Sequence, residues 1–148
     1  MFRGQFRHTI DPKGRLSIPS KFRDLLDASH GDRLVIVPVA ERALEVHPLS
    51  AWQEFEEKVN AQSRFDPIVR RFHERYVSLG EDVTLDPQGR IQVRQECRER
   101  TGLTKDVVIV GMGRYFDVWD VSRWTGHQQA HDTPMDELFA QMAQRGVL

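Results

Sequence analysis

T-I-D-P-K-G-R-L-S-I, from Thr9 to Ile18, and T-L-D-P-Q-G-R-I-Q-V, from Thr84 to Val93, are two copies of one pattern, set apart by a shift of 75 residues. Thr, Asp, Pro, Gly and Arg match outright, and the apolar residues recur in register. Outward from these stretches the correspondence continues. V-I-V at Val35 to Val37 returns at Val108 to Val110, and R-A-L-E-V-H-P-L-S-A-W, Arg42 to Trp52, parallels R-Y-F-D-V-W-D-V-S-R-W, Arg114 to Trp124. A repeat of this kind sets the architecture before any single element is read. The chain divides into a first copy over 5–52, a connector over 53–80, a second copy over 81–124 and a tail over 125–148.

Each copy reads mostly as strand. Phe2 to Ile10 mixes apolar and polar residues without a helical period, Asp11-Pro12-Lys13-Gly14 supplies a turn, and Leu16 and Ile18 resume the alternation of a hairpin. In that turn Asp accepts a backbone N–H, Pro presets φ and Gly takes the left-handed conformation. Asp86-Pro87-Gln88-Gly89 repeats it. P-S-K-F-R-D-L-L, with Ser20 as the candidate N-cap, and R-Q-E-C-R-E-R read as short helices. L-V-I-V and V-V-I-V then read as buried strands, with A-L-E-V and Y-F-D-V as their partners across a turn.

The connector changes period. Trp52, Phe55 and Val59, then Ile68, Val69, Phe72, Tyr76 and Leu79, recur at steps of three and four, and Asp66-Pro67 restarts a second amphipathic helix. Thr133-Pro134-Met135-Asp136 opens a further helix with Leu138, Phe139 and Met142 on one face, an apolar side that needs something to pack on.

Composition bounds the function. In 148 residues, 39% hydrophobic and 29% charged describe a chain that folds rather than a disordered one. The net charge of −1 gives the whole molecule no pull toward nucleic acid or membrane, so any electrostatic signal is local. Cys97, the only cysteine, cannot form an internal disulfide and reads as a small core residue in a reducing compartment. With neither a signal-peptide pattern nor a 20-residue apolar run, the expected location is cytoplasmic.

The local signal lies at the N-terminus. Between Met1 and Leu26, Arg3, Arg7, Lys13, Arg15, Lys21 and Arg23 face only Asp11 and Asp24. Two readings fit each D-P-x-G-R turn: it closes a hairpin with the arginine folded onto its own aspartate, or it presents basic residues to phosphates and base edges. In the second copy Gln88 replaces the lysine, and Glu81, Asp82, Asp86, Glu96 and Glu99 offset the arginines, which makes that copy the weaker reader.

M-F-R-G at the start, D-P-K-G-R-L-S-I-P, the later D-P-Q-G-R and the closing F-D-V-W-D together resemble the MraZ family of bacterial transcriptional regulators, built from two SpoVT-AbrB-type domains. The likeness covers nearly the entire chain. It implies an α+β, β-rich fold: a swapped-hairpin, double-split β-barrel made from two tandem repeats, with connecting and C-terminal helices. It also implies assembly into rings that bind double-stranded DNA at repeated promoter boxes, upstream of the division and cell-wall gene cluster that includes the regulator's own gene. The implied role is regulation, commonly repression, in association with the nucleoid. Carried over by residue, the motif places the principal DNA contacts at Arg15 and Lys13, with Gly14 letting the backbone come close, Arg3 and Arg7 supporting on phosphate, and Arg90 as the counterpart in the second copy. Asp11 and Asp86 brace their turns, since a carboxylate beside phosphate is repelled. Several identical hairpins on one ring gain effective concentration that a single one lacks. The connector helices, Trp52, Trp124 and the V-I-V strands are candidates for the ring interface or, equally, for the protomer's own core.

Other classes fit less well. Asp11 and Asp86 mimic a carboxylate pair without a nucleophile or base beside them, so no enzyme and no small-molecule substrate is expected. Gly111-Met112-Gly113 is too short for a phosphate loop and reads as a hairpin bend. His127 and His131 have helical spacing but no zinc-site context, and read as solvated tail residues; no metal and no cofactor is expected. A structural or adaptor ring, or an antitoxin-like DNA-binding module of the same superfamily, are the remaining alternatives.

Overall fold

The computed structural model describes residues 1–29 and 31–148. The first copy folds as β1 (Gln5–Thr9), β2 (Arg15–Ser17), α1 (Ser20–Ser29), β3 (Arg33–Pro38), β4 (Leu44–Pro48) and α2 (Leu49–Asn60). Helix α3 (Pro67–Arg75) and a 3-10 turn at Val77–Leu79 complete the connector. The second copy repeats the order as β5 (Glu81–Thr84), β6 (Arg90–Gln92), α4 (Gln95–Thr101), β7 (Asp106–Gly111), β8 (Phe116–Asp120) and α5 (Val121–Ala130), followed by α6 (Met135–Gln144). The class is α+β, with antiparallel strands and six α-helices among the described residues.

The pairing crosses between copies. A six-stranded sheet runs β1-β7-β8-β4-β3-β5, and β2-β6 forms a second ladder. The expected local hairpins at the two turns are split: Ile10 and Leu16 form an isolated bridge, after which β1 pairs with β7 from Gln5↔Val110 to Thr9↔Asp106, and β5 pairs with β3. Each copy's first strand therefore finds its long partner in the other copy. The six-stranded ladder has two ends, β1 and β5, so its hydrogen bonds do not close a barrel.

Both faces of the sheet are covered, which explains the unbroken apolar runs of β3 and β7. On the inner face Leu34, Ile36, Leu44, Val46, Ile109, Phe116 and Val118 pack against Leu16, Ile18, Ile91 and Val93 of the small ladder and Phe22, Leu26 and Cys97 of α1 and α4. Phe2 anchors the N-terminus there, edge-on to Phe22 at 5.1 Å and to Phe116 at 5.3 Å. On the outer face Trp52 of α2 covers Val35 and Val37, while Trp119 packs with Val108 and Val110 beneath Trp124 of α5. Trp52 and the V-I-V strands are thus core, not exposed interface.

Cap chemistry follows the sequence in part. Asp66 accepts from Ile68 N with Pro67 at the first turn of α3, and Asp120 caps α5 through Ser122 N and Arg123 N. Ser20 is not a cap: the Pro19 carbonyl accepts from Phe22 N and Arg23 N, which makes Ser20 the first helical residue. His127 is not a freely solvated residue either, since its ring lies 4.5 Å from that of Trp119 and 4.5 Å from that of His131.

One buried acid stands out. Asp117, 6% exposed, sits directly across the strand pair from Glu45, and its Oδ1 has no hydrogen-bond partner among the described residues. Its Oδ2 accepts only a long bond, 3.4 Å, from Trp119 Nε1. Glu45 is occupied by the Tyr76 hydroxyl and by His47. Burial first, then Glu45, pushes the Asp117 carboxyl up to about 6, against weaker lowering by Trp119 and Arg42. A raised folded-state value means the penalty is largest above about 6 and is relieved as pH falls toward the ordinary 3.8. Asp117→Asn is therefore expected to stabilise the protein by about 2 kcal/mol near pH 8 and to flatten the gain that wild type shows between about pH 7 and 4, read by urea unfolding across that range.

Candidate nucleic-acid interface

The two D-P-x-G-R turns lie at opposite ends of the β2-β6 ribbon, whose register runs Arg15↔Gln92, Leu16↔Ile91, Ser17↔Arg90. Within the first turn Gly14 N donates to the Asp11 carbonyl and Asp11 N to the Arg15 carbonyl. The Asp11 carboxylate divides its work. Oδ1 accepts the backbone N–H of Lys13 and of Arg15, both at 2.9 Å, and Oδ2 takes Arg15 Nε at 2.6 Å. The bond from the Arg15 backbone is the largest influence holding the Asp11 carboxyl below its ordinary value, with the guanidinium adding to it. Asp86 makes the same bonds to Gln88 N, Arg90 N and Arg90 Nε, and its carboxyl is held low in the same way.

Both readings of the turn meet in this geometry. Arg15 does fold onto Asp11 as an ion pair, with Nε making the hydrogen bond; its two terminal amino groups make no hydrogen bond among the described residues. That bond orients the guanidinium, and the Arg15 side chain stays part-exposed, at 36%. At the second turn Gln88 Oε1 lies 3.4 Å from Arg90 Nη2, so the residue that replaces lysine also leans on the arginine's free edge. Lys13 is exposed at the apex of the first turn.

Gly14 is buried, with φ at +82°, and a Cβ there would stand 2.4 Å from the Val93 carbonyl oxygen. The close approach at this glycine is to the other copy, sealed by Val93 N donating to the Gly14 carbonyl at 2.7 Å. Two side chains of the second copy finish the bracing. Gln92 Nε2 donates to the Lys13 carbonyl at 2.6 Å, and Arg98 donates through Nε to the Val93 carbonyl at 3.1 Å. Arg23 does for the second turn what Arg98 does for the first, donating to the Ile18 carbonyl at 3.1 Å and lying over Gly89. These braces escape a reading of the turns alone, although the 75-residue shift already pairs Arg23 with Arg98.

Arg3 and Arg7 are exposed. Arg3 is positioned by its backbone, which crosses so near Gly111 that a side chain there would collide, and Gly111 N donates to the Gly4 carbonyl. Arg7 lines an open groove with His8, Thr9, Ser17 and Asp106. The groove beside the second turn is of opposite character, lined by Asp24, Asp27, Asp32 and Asp86 with Arg23. At matching positions, Ile10 N binds the carbonyl of Lys105 and Leu85 N that of Asp32, so one backbone contact carries a base near the first turn and an acid near the second. The structure thus brings Lys13 and Arg15 together, leaves Arg3 and Arg7 exposed on the N-terminal segment, and places Arg90 on a second turn that borders an aspartate-lined groove.

Among the described residues no cluster of His, Cys, Asp and Glu is arranged to hold a metal ion, and no helix is long and apolar enough to cross a membrane. Burial and then Glu81 push the Cys97 thiol up from its ordinary value, the behaviour of an inert core cysteine.

Known proteins match this chain along nearly all of its length. A family model described as "MraZ protein, putative antitoxin-like" matches residues 1–75 and again 80–146. The chain is 37% identical over 124 residues to a protein of Nitrosomonas europaea, covering 84% of each, and 36% identical over 146 residues to one of Syntrophobacter fumaroxidans, covering 99% of this chain and 97% of that one. A Nitratidesulfovibrio vulgaris protein is 34% identical over 147 residues, with 99% and 97% covered. All three are named Transcriptional regulator MraZ. Two interleaved copies of one strand-rich unit, matched throughout by regulators of transcription, define the class as a two-repeat transcriptional regulator. The chain belongs to the MraZ family.

The two turn glycines separate geometry from packing. Both hold a positive φ, so alanine at either costs about 1–2 kcal/mol in backbone strain. At Gly89 the atoms nearest the new methyl belong to the movable Arg23 side chain, whereas at Gly14 the nearest is a backbone oxygen of the other copy. Gly14→Ala is expected to destabilise by about 3 kcal/mol or more and Gly89→Ala by less, compared by urea unfolding.

Proposed function

We propose that the chain is a sequence-specific, double-stranded DNA-binding regulator that reads its site with the first turn. The observation that carries this is the part-exposed guanidinium of Arg15, held through Nε by Asp11 beside an exposed Lys13. A guanidinium held in one orientation suits paired donation to a guanine edge or a phosphate, because little side-chain freedom is lost on contact. Lys13 joins it at the turn, and Arg3 and Arg7 supply phosphate contacts that position without reading sequence. Gly14 serves by locking the turn against Val93. Arg90, engaged by Gln88 on a turn beside an aspartate-lined groove, contributes less.

The exchange of first strands between copies supports the swapped-hairpin, double-split arrangement, with the β2-β6 ribbon spanning the two free edges of the sheet. The domain boundaries proposed are those of the two copies, 5–52 and 81–124, with the connector and tail between and after them. One turn offers few contacts, so self-association into a ring that places several turns on successive promoter boxes would supply the missing affinity. The resemblance favours the division and cell-wall gene cluster, including the regulator's own gene, as target, repression as outcome, and the cytoplasm and nucleoid as location.

Fluorescence anisotropy with DNA from upstream of the chain's own gene, against a shuffled duplex over a salt series, tests the reading. Wild type is expected to prefer its own DNA, with affinity falling steeply as salt rises. Arg15→Ala is expected to lose roughly tenfold or more in affinity for the specific duplex while keeping its oligomeric size. Equal binding by the variant would sink the assignment of the turn, and no binding by wild type at low salt would favour a structural or adaptor ring.

A further inference from the structure

The residue that faces Arg15 across the β2-β6 ribbon comes from the second copy. It is Gln92, exposed, and directly opposed side chains in such a ladder stand on one face with Cβ atoms about 5 Å apart. From there the side chain leans to the turn: Nε2 donates to the Lys13 carbonyl at 2.6 Å and lies 2.9 Å from where a Cβ of Gly14 would stand. The amide is thus set among Lys13, Gly14 and Arg15. A carbonyl can only accept, so the nitrogen is committed to Lys13, and Oε1, which makes no hydrogen bond among the described residues, is left as an acceptor.

The second turn has no counterpart. Ser17 faces Arg90 across the same ribbon, and its short side chain carries no amide. Gln88, the amide that the second turn does carry, has its Oε1 against Arg90 Nη2.

At the first turn, donors and an acceptor therefore stand side by side: Lys13 and Arg15 donate, and Gln92 accepts. The major groove is read by such combinations, because guanine presents acceptors that suit Arg15, whereas adenine N6 and cytosine N4 present amino groups that only an acceptor can bind. Stacked base pairs are about 3.4 Å apart, so side chains rooted about 5 Å apart reach the same pair or adjacent ones.

We propose that Gln92 is a specificity-determining residue, its Oε1 accepting from the amino group of an adenine or cytosine at or next to the base pair that Arg15 contacts. The proposal rests on the reading of the first turn given above. It adds that both copies read one site, the first through its turn and the second through a strand.

The test is fluorescence anisotropy of the full chain on DNA from upstream of its own gene, and on duplexes in which each base pair of the bound region is changed singly. Gln92→Met removes donor and acceptor at similar length; Gln92→Lys keeps a donor for the Lys13 carbonyl and removes only the acceptor. Gln92 is exposed, so both variants should keep the circular dichroism and melting of wild type. At one adenine or cytosine position the preference of wild type, roughly fivefold or more, is expected to vanish in both variants, while preferences elsewhere are retained. The salt slope of Gln92→Met should also be unchanged, since no phosphate contact is lost. If Gln92→Lys keeps the whole wild-type pattern, or Gln92→Met weakens every duplex equally, Gln92 is a brace only and the proposal is overturned. Arg15→Ala losing affinity while neither Gln92 variant alters any preference overturns this proposal and leaves the first-turn reading standing. Wild-type binding by Arg15→Ala, or no binding by wild type at low salt, removes both.

Discussion

The backbone exchange between the two copies is the constraint from which the rest follows. A first strand that stayed with its own copy would be held by little beyond the Ile10–Leu16 bridge. Given to the other copy, β1 gains five paired residues along β7, and β5 gains four along β3. The exchange also creates the β2-β6 ribbon, and with it the inner core, because Leu16, Ile18, Ile91 and Val93 reach the sheet only when both copies contribute. The turn that carries Lys13 and Arg15 inherits its rigidity from this arrangement. It is sealed by Val93, Gln92 and Arg98, all from the far half of the chain.

Duplicated backbone with diverged surface is the second theme. Both turns keep the same aspartate bonds, the same left-handed glycine and the same arginine brace beneath them. What differs is what faces solvent: Lys13 against Gln88, and Lys105 against Asp32. The bonds that make the turn are local and short, so they survive exchange of the residues around them. Charge at the surface costs the fold little, and one copy can drift toward acid without losing its shape.

Much of this was legible in the sequence, because repeats and turns are local or periodic signals. The Asp-Pro-x-Gly spacing specified the turn down to the aspartate's acceptor role and the glycine's positive φ. Pairing partners are not local, which is why a hairpin was the natural reading of Phe2 to Ile18, whereas the strand partner of Arg7 is Val108. Ser20 looks like a cap by residue type, yet the chain direction after Pro19 hands that place to the Pro19 carbonyl. Burial of Trp52 and the V-I-V strands depended on whether helices cover the outer face, and periodicity alone does not say so. Gln92, Arg98 and Arg23 act across the ribbon and become visible only once the register of β2 against β6 is known.

Strand β1 has one last consequence, for the order in which the protein comes into being. Its partner residues lie near position 110, so during synthesis the N-terminal segment, though made first, waits for most of the chain before it has a place. Contacts of such wide separation form slowly and leave an unpaired strand exposed meanwhile. A truncated product ending after the first copy would carry Arg3, Arg7, Lys13 and Arg15 but none of Gln92, Val93 or Arg98 that shape them. The basic residues thus acquire a defined shape only in a chain whose synthesis is nearly complete.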